Sequence, residues 1–182
     1  MDCSANGQNH DIGRVLVTRE EIARRVTELG REISAAYEGR DITIVAVLTG
    51  SLIFLADLIR QLPNRIRIFP ISVSSYPGAN TESQGPRLGA MPQLPAGDVL
   101  IVDDILDTGQ TLDALVSHCR RHVASVRACV LLNKKRKMPR HVQADFTGFD
   151  IGEEFVVGYG LDFDNLYRNL PDIHELRTRE AT

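Results

Sequence analysis

Cysteine is scarce. The chain has three, Cys3, Cys119 and Cys129, at no metal-ligand spacing and in no even count. That excludes a disulfide framework and a cysteine-rich metal site, and fits a reduced, cytoplasmic protein. Long apolar runs are missing as well, so no membrane-spanning helix is expected and no membrane partner. The N-terminus lacks the apolar core of a signal peptide. Neither sign of charge dominates: the formal net charge is −3, which gives no global attraction to nucleic acid or to an anionic surface. No internal repeat is visible. Over 182 residues, apolar and charged fractions of 43% and 25% are those of a globular chain, long enough for one domain with a real core. Met1 to Asp11 are polar and unpatterned. A disordered tail over residues 1–12 is therefore expected, followed by a single domain over 13–182.

What is present alternates between strand and helix signals. Val15 to Val17 reads as a short strand. Thr18 and Glu21 have capping-box spacing, and Ile22, Val26, Leu29 and Ile33 continue at helical period, which predicts a helix to about Tyr37. Ile42 to Leu48 is continuously apolar and β-branched, the pattern of a strand buried on both faces. Leu55, Leu58, Ile59 and Leu62 mark a second helix, closed by Pro63, and Arg65 to Val73 reads as a strand. Ser74 to Gly97 has no period and is rich in Gly, Pro, Ser and Asn. A loop of that length in a compact domain is a functional lid or a disordered segment. A strand from about Asp98 to Val102 follows, then a helix carrying Leu112, Leu115, Val116 and Cys119. Ser125 to Leu132 and a last short strand, Phe155 to Tyr159, complete the pattern. Such alternation implies an α/β domain with a mainly parallel sheet.

Val99 to Thr111 carries the chemistry. An apolar strand runs into Asp103 and Asp104, then Asp107, then a Thr108-Gly109-Gln110-Thr111 turn that opens a helix. In open α/β sheets, ligands bind beyond the carboxyl ends of the strands. A helix N-terminus favours an anion, and Gly109 lets backbone approach a phosphate closely. A single acid before a helix is usually a cap; three acids around this turn exceed that need. Bare carboxylates repel phosphate, so the ligand must bring hydroxyl donors or Mg2+ together with its phosphates.

On these residues the chain resembles the type I phosphoribosyltransferases, whose phosphoribosyl-pyrophosphate (PRPP) signature looks like Val99 to Thr111. Further motifs are similar to the hypoxanthine-guanine branch of that family. Ser74-Ser75-Tyr76 looks like the start of its catalytic loop, and Leu131 to Lys135 like its purine-contacting segment. Asp145-Phe146-x-Gly148-Phe149, Phe155 to Asp162 and Tyr167 to Leu170 look like its C-terminal hood. The likeness runs from about Val15 to Leu170.

The resemblance implies a fold with a mainly parallel sheet flanked by helices. A small hood from about residues 150–182 plus 14–18 would cap it, with a mobile lid over 74–97. It implies Mg2+-dependent transfer from PRPP to a 6-oxopurine, hypoxanthine or guanine, giving the nucleoside monophosphate and pyrophosphate. Asp103 and Asp104 would hold the ribose hydroxyls, directly or through Mg2+, and Asp162 would ligate a second ion. Asp107 would be the general acid/base at N7 of the purine. Thr108, Gly109, Gln110 and Thr111 would cradle the 5′-phosphate, while Thr49, Gly50 and Arg168 would bind pyrophosphate. Ser75 and Tyr76 would close over it and exclude water. Lys134 would donate to the 6-oxo group, Phe155 would stack on the base, and Val156 and Asp162 would offer backbone contacts to its edge. Without the resemblance, Phe155 reads as core, and Lys134 to Lys137 as a solvated basic turn of which only Lys134 reaches the site. A homodimer or homotetramer is implied.

Three positions depart from the family pattern. Thr49 stands where Lys or Arg is common, after a peptide bond that is often cis. Asp103 stands where Glu is common, and Gln110 where Lys or a small residue is. Alternative readings are a xanthine-preferring relative, an RNA-binding regulator on the same fold, and a PRPP-binding module without turnover. The low pI argues against RNA.

Overall fold

In a computed structural model, residues 10–74, 87–89, 92–136 and 140–178 are described. Strand β2 (Ile42–Leu48) is apolar throughout because both of its faces are covered. The helices α1 (Arg19–Ala36) and α2 (Leu52–Ile59) pack on one side, where Ile42, Ile44 and Ala46 join the larger core cluster. Val45 and Val47 point the other way, into a second cluster with α3 (Gln110–Cys119). The two-residue period of a strand thus sorts one hydrophobic run into two layers.

Strands β3 (Ile66–Ser74) and β5 (Asp98–Leu106) flank β2, both parallel to it. Beyond β5 lie β6 (Ser125–Lys134) and β7 (Phe146–Ile151), also parallel. The short β4 (Arg87–Leu88) closes the other edge, antiparallel to β3. The sheet order is therefore β4-β3-β2-β5-β6-β7. From β2 the chain winds to one edge, and from β5 to the other. The crevice between the carboxyl ends of β2 and β5 is the topological switch point, where such sheets bind ligands. A second sheet, β1 (His10–Val17), β9 (Ile173–Thr178) and β8 (Val156–Val157), is antiparallel throughout.

The capping box opens α1 as expected: Thr18 Oγ1 accepts from the Glu21 amide at 3.3 Å, and the Glu21 carboxylate accepts from the Thr18 amide at 2.8 Å. Asp172 Oδ1 also accepts from the Arg19 amide at 2.7 Å, fastening the helix start to the chain just before β9.

Four elements differ from the sequence expectation. Strand β1 takes in His10 to Ile12, inside the expected tail of residues 1–12, because backbone pairing with Thr178, Arg177 and Leu176 holds a segment whose side chains show no pattern. β5 continues through the acidic pair to Leu106. Its pairing with β2 stops at Ala46–Val102, but its pairing with β6 runs on to Leu106–Asn133. β7 was not visible as a strand, being interrupted by Gly148. It gains support from Arg25 of α1, which donates to Thr147 O at 2.7 Å and Gly148 O at 3.1 Å. β9 is half polar and lies beyond what looked like the last strand; only its partners on both sides make it one.

Candidate active site

The crevice is built from four segments. The first follows β2. A cis peptide bond joins Leu48 and Thr49, and Thr49 is exposed beside a half-buried Gly50. The buried Ser51 hydroxyl donates to Val47 O at 2.5 Å, which turns the chain into α2. Glycine is required at 50 for contact rather than for φ. A Cβ there would overlap the Asp104 carboxylate, lying 2.6 Å from its Cγ.

The second segment is the end of β5. Asp103 is 7% exposed, and its Oδ1 accepts from the Asp104 amide at 2.9 Å. Burial, and then the neighbouring Asp104 charge, push the Asp103 carboxyl well above its ordinary range. Burial raises Asp104 too, opposed by hydrogen bonds from Asp103 and backbone amides and by the positive field of Arg168. Two carboxyls this close are disfavoured as bare anions, and a cation joining them would relieve both. Gly109 then takes the left-handed conformation, φ 84°, as the cap of α3. Thr108 Oγ1 accepts from the Gln110 amide at 3.4 Å. Thr108 and Gln110 are exposed, Thr111 is half-buried, and α3 starts four residues after the end of β5.

The third segment leaves β6. Lys134 is 8% exposed, and its Nζ lies 3.6 Å from Asp107 Oδ2. Arg136 Nε donates to Asp107 Oδ1 at 2.5 Å. Expecting only Lys134 of the basic run to reach the site therefore needs correction. A run of four cations carries no signal of which one turns inward; the path of the chain after β6 decides it. Arg140 adds a brace, donating to Asn133 Oδ1 at 2.6 Å and to Lys134 O.

The fourth segment is the hood, running from Phe155 to Arg168. Phe155 is 50% exposed, so it is not the core residue that its apolar neighbours implied. It meets Phe163 edge to face at 5.5 Å, while Val156 is buried. Asp162 Oδ1 pairs with Arg168 at 2.7 Å, and its Oδ2 accepts from the Asn165 amide at 2.8 Å. Arg168 also donates to Gly160 O at 2.7 Å. Ser75 and Tyr76 lie outside the described residues.

The donor set suits a hard divalent cation. Asp103 and Asp104 supply adjacent carboxylate oxygens, destabilised as bare anions by burial, of the kind Mg2+ takes together with phosphate oxygens. Among the described residues no three His, Cys, Asp or Glu side chains converge on one point, and Asp162 is not drawn to the other two. A complete cage from protein alone is therefore not formed; substrate oxygens would have to fill the remaining positions.

The comparisons with known proteins agree with this geometry. The profile of the phosphoribosyl transferase domain matches residues 16–164. The hypoxanthine-guanine phosphoribosyltransferase of Mycobacterium avium is 42% identical over 179 residues, covering 93% of this chain and 88% of that protein. The Bacillus subtilis protein of the same name is 40% identical, with 92% and 95% covered. A crystal structure of a hypoxanthine-guanine phosphoribosyltransferase from Bacillus anthracis superposes with a TM-score of 0.82 at 38% identity, over 93% of this chain and all (100%) of that one. The chain belongs to the phosphoribosyl transferase family and is a transferase of its hypoxanthine-guanine phosphoribosyltransferase branch.

Proposed function

We propose that the protein moves the 5-phosphoribosyl group from PRPP to hypoxanthine or guanine, releasing pyrophosphate. One observation carries this reading. Lys134 and Asp107 converge, 3.6 Å apart, between the acidic end of β5 and the phosphate turn. A donor for a 6-oxo group and an acceptor for a ring proton thus stand side by side where a purine would meet the ribose.

In the reaction, the C1′–O bond to pyrophosphate breaks and a C1′–N9 bond forms. The N7 proton of the base passes to the Asp107 carboxylate, a group able to take such a proton when hydrogen-bonded to it. Lys134 donates to the 6-oxygen, and this excludes adenine, whose amino group cannot accept. Phe155 offers its exposed face to the ring, while the backbone of Val156 and Asp162 borders its edge. Asp103 and Asp104 bind the ribose hydroxyls, and Thr108 to Thr111 receive the 5′-phosphate at the α3 N-terminus. Mg2+, held by Asp103 and Asp104 with a second ion at Asp162, would neutralise the pyrophosphate as it departs. Thr49 brings no charge to that end of the crevice, so Arg168 supplies the protein's cation there. The sequence motif at Ser75 and Tyr76 supports a role for them in excluding the water that would hydrolyse PRPP. The enzyme acts as a homodimer or homotetramer in the cytoplasm, within a single domain that takes in β1 from His10, and takes no nucleic acid or membrane partner. No helix among the described residues is long and apolar enough to cross a membrane.

The test is monophosphate formation from PRPP and Mg2+ with each of five bases, alongside Asp107→Asn. Product with hypoxanthine or guanine, lost by at least ~100-fold in the variant, is expected. Product with xanthine alone would shift the assignment of the base. No product with any purine would refute the reading.

A further inference from the structure

Three consecutive hood residues, Gly158, Tyr159 and Gly160, have positive φ values of 99°, 50° and 99°. For the two glycines this is ordinary; for tyrosine it is unfavourable. Tyr159 is 7% exposed. Its hydroxyl donates to Asp57 Oδ2 at 2.6 Å, across 102 positions of chain, from the hood to helix α2. The other Asp57 oxygen pairs with Arg60. Burial, and then the bond to Asp57, push the Tyr159 hydroxyl far above its ordinary range, so it stays a donor throughout the working pH range.

Both ends of this bond lead into the crevice. Helix α2 begins two residues after Gly50. Gly160 lies so close to Gly50 that a Cβ on Gly160 would overlap Gly50 O and stand 3.5 Å from its carbonyl carbon. Gly50 in turn lies against Asp104. The backbone of the hood turn is also the anchor of Arg168: the guanidinium donates to Gly160 O, and the Arg168 carbonyl accepts from the Gly160 amide at 3.0 Å. The Tyr159 amide donates to Leu170 O at 2.7 Å. Gly50 is therefore clasped between the acidic pair and the hood, and Arg168 hangs from the same turn.

We infer that Tyr159 and Asp57 are a positioning pair that sets the register of the hood, and so of Arg168, against Gly50 and Asp104. Neither side chain touches substrate. The latch acts on the pyrophosphate end of the site, where Thr49 supplies no charge and misplacement of Arg168 is felt most. At the base end, Lys134 and Asp107 lie at the ends of β6 and β5, outside the hood, so that end depends on the latch only through the hood contacts of Phe155, Val156 and Asp162.

The inference rests on the proposed PRPP reaction, and two readouts keep the failures apart. In kinetics, Tyr159→Phe should raise KM for PRPP roughly tenfold, the effect of one hydrogen bond to a charged group. The KM for the base should move clearly less than that for PRPP, because Lys134 and Asp107 lie outside the hood. Asp57→Asn keeps an acceptor and should stay within about threefold of wild type, whereas Asp57→Ala should match Tyr159→Phe. Independently of turnover, hydrogen exchange in peptides over 158–170 should quicken in Tyr159→Phe while β2, β5 and β6 stay protected. Binding of inorganic pyrophosphate with Mg2+, followed by calorimetry, should weaken in parallel. Equal changes in both KM values, or unchanged exchange in the hood, would overturn the latch. Wild-type protein without transfer activity would overturn the proposed reaction, leaving exchange and pyrophosphate binding to judge the latch.

Discussion

Gly50→Ala probes the tightest point of the site. Gly50 does not use a left-handed φ, so alanine costs nothing in backbone conformation. Its cost is contact. The added methyl would overlap Asp104 Oδ2 and lie 2.6 Å from Cγ and 3.2 Å from Oδ1. To relieve the overlap, either the Asp104 carboxylate must rotate or the backbone at Gly50 must shift, and the latter is held by the close approach of Gly160 to Gly50 O. Overpacking of this kind costs about 1–3 kcal/mol. For a chain of 182 residues that lowers Tm by roughly 3–9 °C. Activity should suffer more, since a shift of ~1 Å at a positioning residue can cost about 100-fold in rate. Thermal melts without ligand and kcat/KM for PRPP give the two numbers. A double-mutant cycle identifies the cause: in an Asp104→Ala background the offending carboxylate is gone, and the stability cost of Gly50→Ala should largely vanish, a coupling of about 1–3 kcal/mol. If Gly50→Ala costs the same with and without the Asp104 carboxylate, the close approach is not what requires glycine here.

Asp103→Asn should stabilise the ligand-free protein in a pH-dependent way. The folded state raises the Asp103 carboxyl above its value in the unfolded chain, so folding takes up a proton. That stability is fully present below the unfolded carboxylate range, about pH 4, and is lost as pH rises through the folded value. Asparagine has no proton to lose. The Tm of wild type should therefore fall behind that of Asp103→Asn as pH rises from about 4 towards neutrality; parallel curves would count against it. Arg25→Ala tests the brace on β7. It strips the carbonyls of Thr147 and Gly148 of a charged donor and should cost about 1–3 kcal/mol in denaturant unfolding, with faster exchange over 146–151. A loss below ~0.5 kcal/mol would show that water replaces the guanidinium without cost.

How much of the site was legible depended on whether its cause was local. The turn before α3 was, because Thr108-Gly109-Gln110-Thr111 makes its own geometry: a left-handed Gly109 and a helix start within four residues. The acidic pair was recognised, but not its setting. Asp103 and Asp104 sit inside a strand because β6 continues beside them after β2 has turned away, and no residue near Asp103 announces that. Arg136 was set aside with its basic neighbours, yet it reaches Asp107. Asp57 and Tyr159 carried no signal at all, being an ordinary helical acid and an ordinary aromatic until folding joins them.

The amino-acid sequence by itself determined the elements whose energetics are short-ranged. The Thr18–Glu21 capping box starts α1, β-branched runs make β2 and β6, and 3.6-residue periods place the buried faces of α1 and α3. It also determined the inventory of chemistry: three acids, a phosphate turn and a lysine in family order. Only the tertiary structure decided which of these meet. β1 becomes a strand because β9, more than 150 residues away, pairs with it. Gly50 is a crowded glycine because Asp104 and Gly160 close on it from two sides. These are contacts between backbone and side chains brought together by the winding of the sheet, and local sequence carries no record of a neighbour that only topology supplies.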